Sequence, residues 1–160
     1  MHVFPLRLKQ ASRIHLLESN VMQIADGLDE PRLTRLVSHF YAQARADALL
    51  GPLFNSAISD WPHHLGKLAA FWSSVMLTSG RYKGQPLPAH LRHQAEITPD
   101  MFDRWLALWE DSAVQCLPPQ AAAAVIARAH RIADSLQMAL FQRLPPPLAA
   151  PRLACVHTSP

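Results

Sequence analysis

The sequence predicts an all-α fold made of two helical pairs. Four segments repeat their apolar residues at helical spacing, and none shows the sustained alternation that is typical of a half-buried strand. A capping residue, or a proline of the kind that a first helical turn tolerates, stands at the start of each segment. Apolar residues make up 49% of the 160 residues and charged residues 17%, as expected for one folded domain with its own core.

A loop is predicted between the first two helices. The first helix runs from about Glu30 to Ala46, and the second from about Asp60, a candidate N-cap, to Thr78. Between them, Gly51-Pro52 predicts a loop that leads to Phe54. Each helix has one apolar face, formed by Leu33, Leu36, Val37, Phe40, Tyr41 and Ala44 in the first helix and by Leu65, Leu68, Ala69, Trp72, Val75 and Met76 in the second.

The second pair of helices is predicted in the C-terminal half of the chain. Thr98-Pro99-Asp100 begins the third helix, and Pro118-Pro119 ends it and begins the fourth, from about Gln120 to Arg143. Before this pair, the link from Gly80 to Pro88 permits at most about a turn of helix around His90. The inward-facing residues are Phe102, Trp105, Leu106, Trp109, Ala113 and Cys116 in the third helix and Val125, Ala129, Ile132, Ala133 and Leu136 in the fourth.

Composition divides the chain into three parts. Residues 1–27 form an N-terminal extension, residues 28–143 the helical domain, and residues 144–160 a proline-rich tail that is expected to be disordered. The formal net charge of the chain is +3, yet residues 26–143 carry eleven basic and eleven acidic residues. The positive charge therefore lies in the two ends, and it does not predict a nucleic-acid surface on the folded part.

The cysteines and the hydropathy of the chain argue against further classes of protein. Cys116 and Cys155 lie outside any CxxC pattern, which argues against a disulfide framework and a cysteine zinc site. No apolar run is long enough to span a bilayer, so no membrane association is expected. Because the N-terminus also lacks the features of a secretory signal, the expected location is the cytoplasm.

The pattern most informative about function surrounds His90. This residue ends a segment that starts at Tyr82 and contains Gly84, Pro86 and Pro88, and aromatic residues lie on either side of the segment in the sequence. A neutral imidazole on a short proline-bounded segment, facing apolar helices, is what a haem iron requires as its protein ligand. The second ring nitrogen then needs an acceptor, such as a backbone carbonyl.

Six short motifs follow one another along the chain. They are Phe40-Tyr41, Leu50-Gly51-Pro52-Leu53-Phe54-Asn55, Trp61 with His64, Phe71-Trp72, Tyr82-Lys83-Gly84-Gln85-Pro86 before His90, and Phe102-Asp103-Arg104-Trp105. In these motifs the chain resembles the group III truncated haemoglobins, a bacterial globin family, from about Leu28 to Leu140. The resemblance implies a two-over-two helical sandwich around a non-covalently bound haem b.

The resemblance also implies roles for individual residues. His90 would be the proximal iron ligand, and Tyr41, His64 and Trp105 would form the distal pocket that stabilises the bound ligand. For Tyr41 and Trp105 the alternative is a packing role in the core, and His64 could act as a gate instead of a donor. Further contacts to the haem are expected from Phe54, Leu68, Trp72, Tyr82, Arg92 and Phe102.

Charged residues near the expected pocket leave alternatives open. His63 and His64 cannot both face a haem, because consecutive helical residues point about 100° apart, so His63 is expected in solvent. Arg81, Lys83 and Arg92 flank the His90 segment and could pair with the haem propionates. A solvated charge is the commoner fate of such residues.

These implied roles describe a protein that binds dioxygen, carbon monoxide, nitric oxide or peroxide. Two or three distal donors would slow ligand release, which suits detoxification of nitric oxide or peroxide better than bulk oxygen transport. Enzymatic activity stays open between a nitric oxide dioxygenase-like and a peroxidase-like reaction, with an unidentified reductase as partner. The chain is expected to be a monomer or a weak dimer that binds no nucleic acid.

Two other functions compete with this one. The chain could be a haem-based sensor or reservoir without turnover, whose basic N-terminus and proline-rich C-terminus bind a partner. It could also be a haem-free helical protein with a different metal, held by His90 and His93 or by His63 and His64. The second alternative lacks carboxylates at a suitable spacing, since Glu96 is the only one close in sequence.

Overall fold

The computed structural model describes residues 27–141, and every regular element in that range is a helix. The all-α prediction is therefore confirmed. The helices are α1 (Glu30–Ala46), α2 (Gly51–Ala57), α3 (Trp61–Leu77), α4 (Pro86–Leu91), α5 (Pro99–Cys116) and α6 (Pro119–Phe141).

The four long helices form two packed pairs, as predicted. Helix α1 lies against α3 and α5, and α5 lies against α6, while the short α4 packs on α6. This arrangement buries one face of each long helix in a single core. The largest side chains that are almost or fully buried in it are Trp72, Trp109, Phe40, Leu33, Leu36, Val37 and Val125.

Two aspartates cap the helices of the first pair. Asp29 accepts a hydrogen bond from the Arg32 amide at 2.8 Å, at the start of α1. Asp60 accepts one from the His63 amide at 3.0 Å, so the predicted cap of α3 is present. These bonds satisfy N–H groups that have no partner inside the helix, and they place the first turn of each helix at a defined residue.

The predicted loop at Gly51-Pro52 is wrong, because this segment forms helix α2. Asp47 accepts hydrogen bonds from the amides of Leu49 and Leu50 and from the Arg104 side chain. These bonds hold the turn before α2 in a conformation from which a helix can start. These bonds, led by the one from Leu50, also hold the pKa of the Asp47 carboxyl below its usual value. Pro52 lies in the first turn, where its missing N–H costs nothing.

The link before His90 contains the short piece of helix that its prolines permitted. Helix α4 begins at Pro86 itself, and Pro88 falls within the same first turn. Both prolines occupy positions whose N–H groups would have no partner inside the helix, so they permit the helix instead of preventing it. His90 therefore lies in the last turn of a short helix.

The predictions for the two ends of the chain lie outside the described residues, apart from Gly27. The N-terminal extension, the proline-rich tail and the final residues of the predicted domain, 142 and 143, belong to this group. Among the helices between residues 27 and 141, none is both long and apolar enough to cross a membrane.

Candidate functional site

Aromatic rings from α1, α2 and α3 surround Tyr41. The Tyr41 ring centroid lies 5.6 Å from that of Phe54, 6.0 Å from Trp61 and 6.3 Å from His64. The ring of Phe40 is 4.7 Å away. Only 5% of Tyr41 is exposed, so its hydroxyl lies in a low-dielectric environment walled by flat apolar surfaces.

Trp105 on α5 completes this group of rings. Burial raises the pKa of Tyr41 well above its ordinary value, and the influence of the Trp105 side chain opposes this rise only in part. An indole N–H can only donate, so a hydrogen bond between the two residues would run from Trp105 to the Tyr41 oxygen. Tyr41 thus keeps its own proton, and both predicted distal residues pack against the ring of Phe40.

His64 lies at the edge of the same group. It is half-buried, whereas its neighbour His63 is exposed, in line with the helical geometry. Burial, together with the positive charges of Lys67 and His63, lowers the pKa of His64 below its ordinary value of 6.5. The His64 ring is therefore neutral at pH 7 and can either donate or accept a hydrogen bond, depending on its tautomer.

Two residues that the sequence analysis did not assign to the site help to build it. The Trp61 ring lies 5.9 Å from that of His64, and the Arg45 guanidinium stacks over Trp61 at 4.3 Å from the ring centre. Trp61 precedes His64 by three residues on α3, so the spacing of the two would have placed them on one face. Arg45 could not be found in this way, because its partner is on another helix.

The imidazole of His90 is held by the backbone of its own helix. His90 Nδ1 lies 2.9 Å from the carbonyl oxygen of Pro86, four residues earlier. A carbonyl can only accept, so Nδ1 carries the proton, and in the neutral ring the lone pair is on Nε2. Among residues 27–141 no hydrogen-bond partner engages Nε2. The geometry therefore presents one nitrogen that is available as a metal ligand.

The other predicted haem contacts are spread over the fold. Phe54 belongs to the rings around Tyr41, and Leu68 is partly buried against the core. Trp72, by contrast, is deep in the core and only 2% exposed. Tyr82 packs on Phe71, with ring centres 5.3 Å apart.

The two remaining predicted contacts lie near α4 and α6. Phe102 packs edge-on against Phe141, with ring centroids 6.1 Å apart. Arg92 is exposed directly after α4, where its Nε reaches the Pro88 carbonyl at 3.4 Å. Of the other basic candidates, Arg81 forms an ion pair with Glu30, so a carboxylate of the chain already competes for its charge.

The alternative of a non-haem metal requires several ligand side chains to converge. Between residues 27 and 141, no group of three or more histidine, cysteine, aspartate or glutamate side chains could hold a metal ion. His93, one of the candidate ligands, instead approaches Glu96, with 3.1 Å between Nδ1 and the carboxylate.

No protein-family model matches the chain. A group 3 truncated haemoglobin of Campylobacter jejuni is 32% identical to it over 122 residues, which cover 72% of this chain and 93% of the relative. The crystal structure of a group III truncated haemoglobin from Campylobacter jejuni aligns with a TM-score of 0.65, at 32% identity and the same coverage. The chain belongs to the group III truncated haemoglobins. The family and the two-over-two fold implied by the resemblance are thus confirmed, and membership implies the binding of haem and of small ligands.

The side chains of this truncated haemoglobin fit a haem. An iron porphyrin needs a neutral nitrogen ligand with a fixed tautomer, and the Pro86 carbonyl fixes that of His90. It also needs flat apolar walls, which the rings of Phe54 and Trp61 can provide. On the ligand side it needs hydrogen-bond donors in a region of low dielectric constant, and the buried, protonated hydroxyl of Tyr41 can serve as one.

Proposed function

We propose that this truncated haemoglobin binds haem b through His90 and uses it for redox chemistry on small ligands, with nitric oxide or peroxide as the substrate, and not for bulk oxygen transport. The observation that carries the proposal is the orientation of His90, whose Nδ1 is occupied by a carbonyl while Nε2 keeps its lone pair. When bound, the haem supplies an iron that takes up a diatomic ligand or peroxide and exchanges electrons with it.

Tyr41 and Trp105 support the ligand-stabilising part of the proposal. The indole N–H of Trp105 can only donate, so it leaves the Tyr41 O–H free to donate as well. The Tyr41 hydroxyl lies among apolar rings, where its proton can be offered to a ligand that carries partial negative charge. The raised pKa keeps the phenol protonated, and therefore able to donate, at any physiological pH.

The strength of such donors favours reaction over transport. One hydrogen bond to a charged or strongly polarised acceptor contributes about 1.5–3 kcal/mol. Each 1.4 kcal/mol slows release about tenfold, so two donors would slow it by orders of magnitude. A carrier that must unload is poorly served by such slow release, whereas a protein that reacts its ligand with a second molecule benefits from it.

The wider assignment follows from this chemistry. Turnover with nitric oxide or peroxide consumes electrons, so a reductase or a small reductant must serve as partner. We place the protein in the bacterial cytoplasm, where such reductants are available, as a monomer or weak dimer. The rival function of a sensor with partner-binding tails concerns residues outside 27–141, and no described contact favours it.

The absorption spectrum of the purified protein tests haem binding and the role of His90. We expect an intense Soret band that shifts on reduction with dithionite and again with carbon monoxide. His90→Gly should lose this spectrum and regain it when imidazole is added, because free imidazole can replace the missing ring. His93→Gly is the matched control, since this nearby imidazole pairs with Glu96, and it should keep the wild-type spectrum.

A protein that folds but takes up no added hemin would overturn the proposal as a whole. Loss of the Soret band in both histidine variants would refute only the assignment of the ligand. Turnover is then measured as nitrate formation from nitric oxide and as reductant oxidation by peroxide. The transport alternative would be favoured instead if oxygen left the protein rapidly and neither reaction occurred.

A further inference from the structure

Three tryptophans from two helices form one continuous stack through the core. Trp72 on α3 lies parallel to Trp109 on α5, with ring centroids 4.3 Å apart and an interplanar angle of 18°. Trp109 in turn lies parallel to Trp105, at 5.4 Å and 8°. We call Trp72, Trp109 and Trp105 the indole stack. Nearly parallel rings in contact share their π-systems face to face, which is the arrangement that best couples them electronically.

One end of the indole stack lies in the candidate ligand pocket. The ring centroid of Trp105 is 5.0 Å from that of Phe40, which in turn lies 4.7 Å from the ring of Tyr41. Trp105, the first indole of the stack, therefore lies beside the pocket in which an oxidant would be bound.

The other end of the stack leads to a partly exposed phenol. Phe71 lies 5.6 Å from Trp72 and 5.3 Å from Tyr82, measured between ring centroids. Tyr82 is only partly buried, and its amide donates to the Ser74 hydroxyl at 2.8 Å, which ties it to α3. A side chain at Gly84 would meet the Tyr82 hydroxyl at 2.5 Å, so the ring packs closely against this glycine.

The central indole has an unusual environment for a tryptophan. Trp109 is fully buried, and among residues 27–141 no hydrogen-bond partner meets its Nε1. Most buried polar groups are paired, so an orphaned N–H is a cost that packing alone does not require. When an indole loses an electron, its N–H becomes acidic, and an adjacent acceptor would take the proton and trap the radical. Without an acceptor, Trp109 keeps its proton, and the electron can return.

We propose that the indole stack, with Phe71 as a bridge, carries single electrons from Tyr82 at the surface to the haem pocket when the oxidant is a peroxide. This inference rests on the proposed haem function. Small one-electron donors, such as ascorbate or a phenol, would reduce Tyr82 without entering the pocket. The stack would then relay their electrons to the haem pocket.

The relay balances electrons and protons in the following way. Reduction of hydrogen peroxide to two water molecules breaks the O–O bond and consumes two electrons and two protons. Each electron passes from Tyr82 across Phe71 to Trp72, and then through Trp109 to Trp105. Tyr82 releases its phenolic proton to solvent as it is oxidised, and a donor of the ascorbate or phenol class returns a hydrogen atom to it. Two such passages complete the reaction.

The same chemistry excludes a second use for the stack. Ferric iron is far too weak an oxidant to remove an electron from an indole, so a reductase could not use this route to re-reduce the haem. The relay is therefore specific for strong oxidants, and its loss should leave ferric reduction unchanged.

The test uses the ferric holoprotein, treated with hydrogen peroxide in the presence of a nitroso spin trap. Peptide mass spectrometry then locates the trapped radical. We expect a Tyr82 adduct in the wild-type protein, and we expect Trp109→Phe to reduce it to the background level of Tyr82→Phe. Phe141→Leu is the control, because this ring packs on Phe102 and lies outside the indole stack, and the Tyr82 adduct of this variant should be unchanged.

A Tyr82 adduct that persists in Trp109→Phe, in protein with a normal carbon monoxide spectrum, would overturn the relay while leaving the proposed function intact. If Trp109→Phe does not fold, uniform incorporation of fluorotryptophan keeps the ring shape and makes every indole harder to oxidise. The adduct should then again disappear, and an unchanged adduct would overturn the relay. Failure of the wild-type protein to take up haem would remove both proposals, and the Soret band alone reveals it.

Discussion

The substitution Tyr41→Phe removes one hydroxyl from the ligand pocket and leaves the ring in place. The ring packs among Phe40, Phe54 and Trp61, and these contacts do not involve the oxygen atom. Because 95% of the side chain is covered, no water can take over the lost hydrogen bond without rearrangement. The change therefore isolates the contribution of one proton donor.

The expected effect on ligand release follows from the strength of this bond. A hydrogen bond to a polarised acceptor contributes about 1.5–3 kcal/mol, so oxygen should leave Tyr41→Phe about 10- to 100-fold faster. The fold is affected less. Because the ring contacts are kept, the free energy of unfolding should change by no more than about 1 kcal/mol, the usual net value of one neutral hydrogen bond.

Stopped-flow displacement of oxygen by carbon monoxide measures the release rate, and urea unfolding measures the stability. Trp105→Phe and the double variant complete a double-mutant cycle. Since the Trp105 side chain affects the pKa of Tyr41, the two residues interact, and the effects of removing them should not add. Unchanged oxygen release in Tyr41→Phe would refute the donor model, and strict additivity would refute the coupling between the two residues.

Three further predictions concern the elements that support the site. Asp60→Ala removes the cap of α3 and should lower the free energy of unfolding in urea by about 1 kcal/mol, with no change in the helix content of the folded state. Gly84→Ala should cost about 1–3 kcal/mol, because the new methyl group would collide with Tyr82; Gly66→Ala, which meets nothing within 4 Å, should instead be neutral or stabilising. His64 should titrate in NMR with a midpoint below 6.5, so the folded state binds fewer protons than the unfolded state and loses stability as the pH falls below this value. A midpoint at or above 6.5, or a destabilised Gly66→Ala, would contradict the corresponding argument.

Sequence-based prediction succeeded where the physical cause is local. The bounds of α1 follow from apolar periodicity and those of α3 also from the capping Asp60, and these signals lie within a few residues of one another. It failed at α2, where a glycine and a proline are equally compatible with a turn and with a first helical turn. Contacts with Asp47 and Arg104, the latter from another helix, decide between the two.

In the candidate site, too, features with a local cause could be predicted and others could not. That His90 lies on a short segment between prolines is evident from the chain itself, but the prediction did not specify that Pro86 provides the acceptor for Nδ1. This bond follows once the segment is known to be helical, since the two residues are then one turn apart. The rings of Trp61 and His64 are likewise related by helical spacing alone.

By itself, the sequence determined the fold class, the four long helices, their apolar faces and the family, because these depend on residue types and on spacings along the chain. The tertiary structure alone decided which rings meet. The contact between Phe40 and Trp105 and the contact between Trp72 and Trp109 join residues on different helices, and no periodicity relates their positions. Such contacts depend on the distance and rotation of packed helices, which are set by the whole core at once.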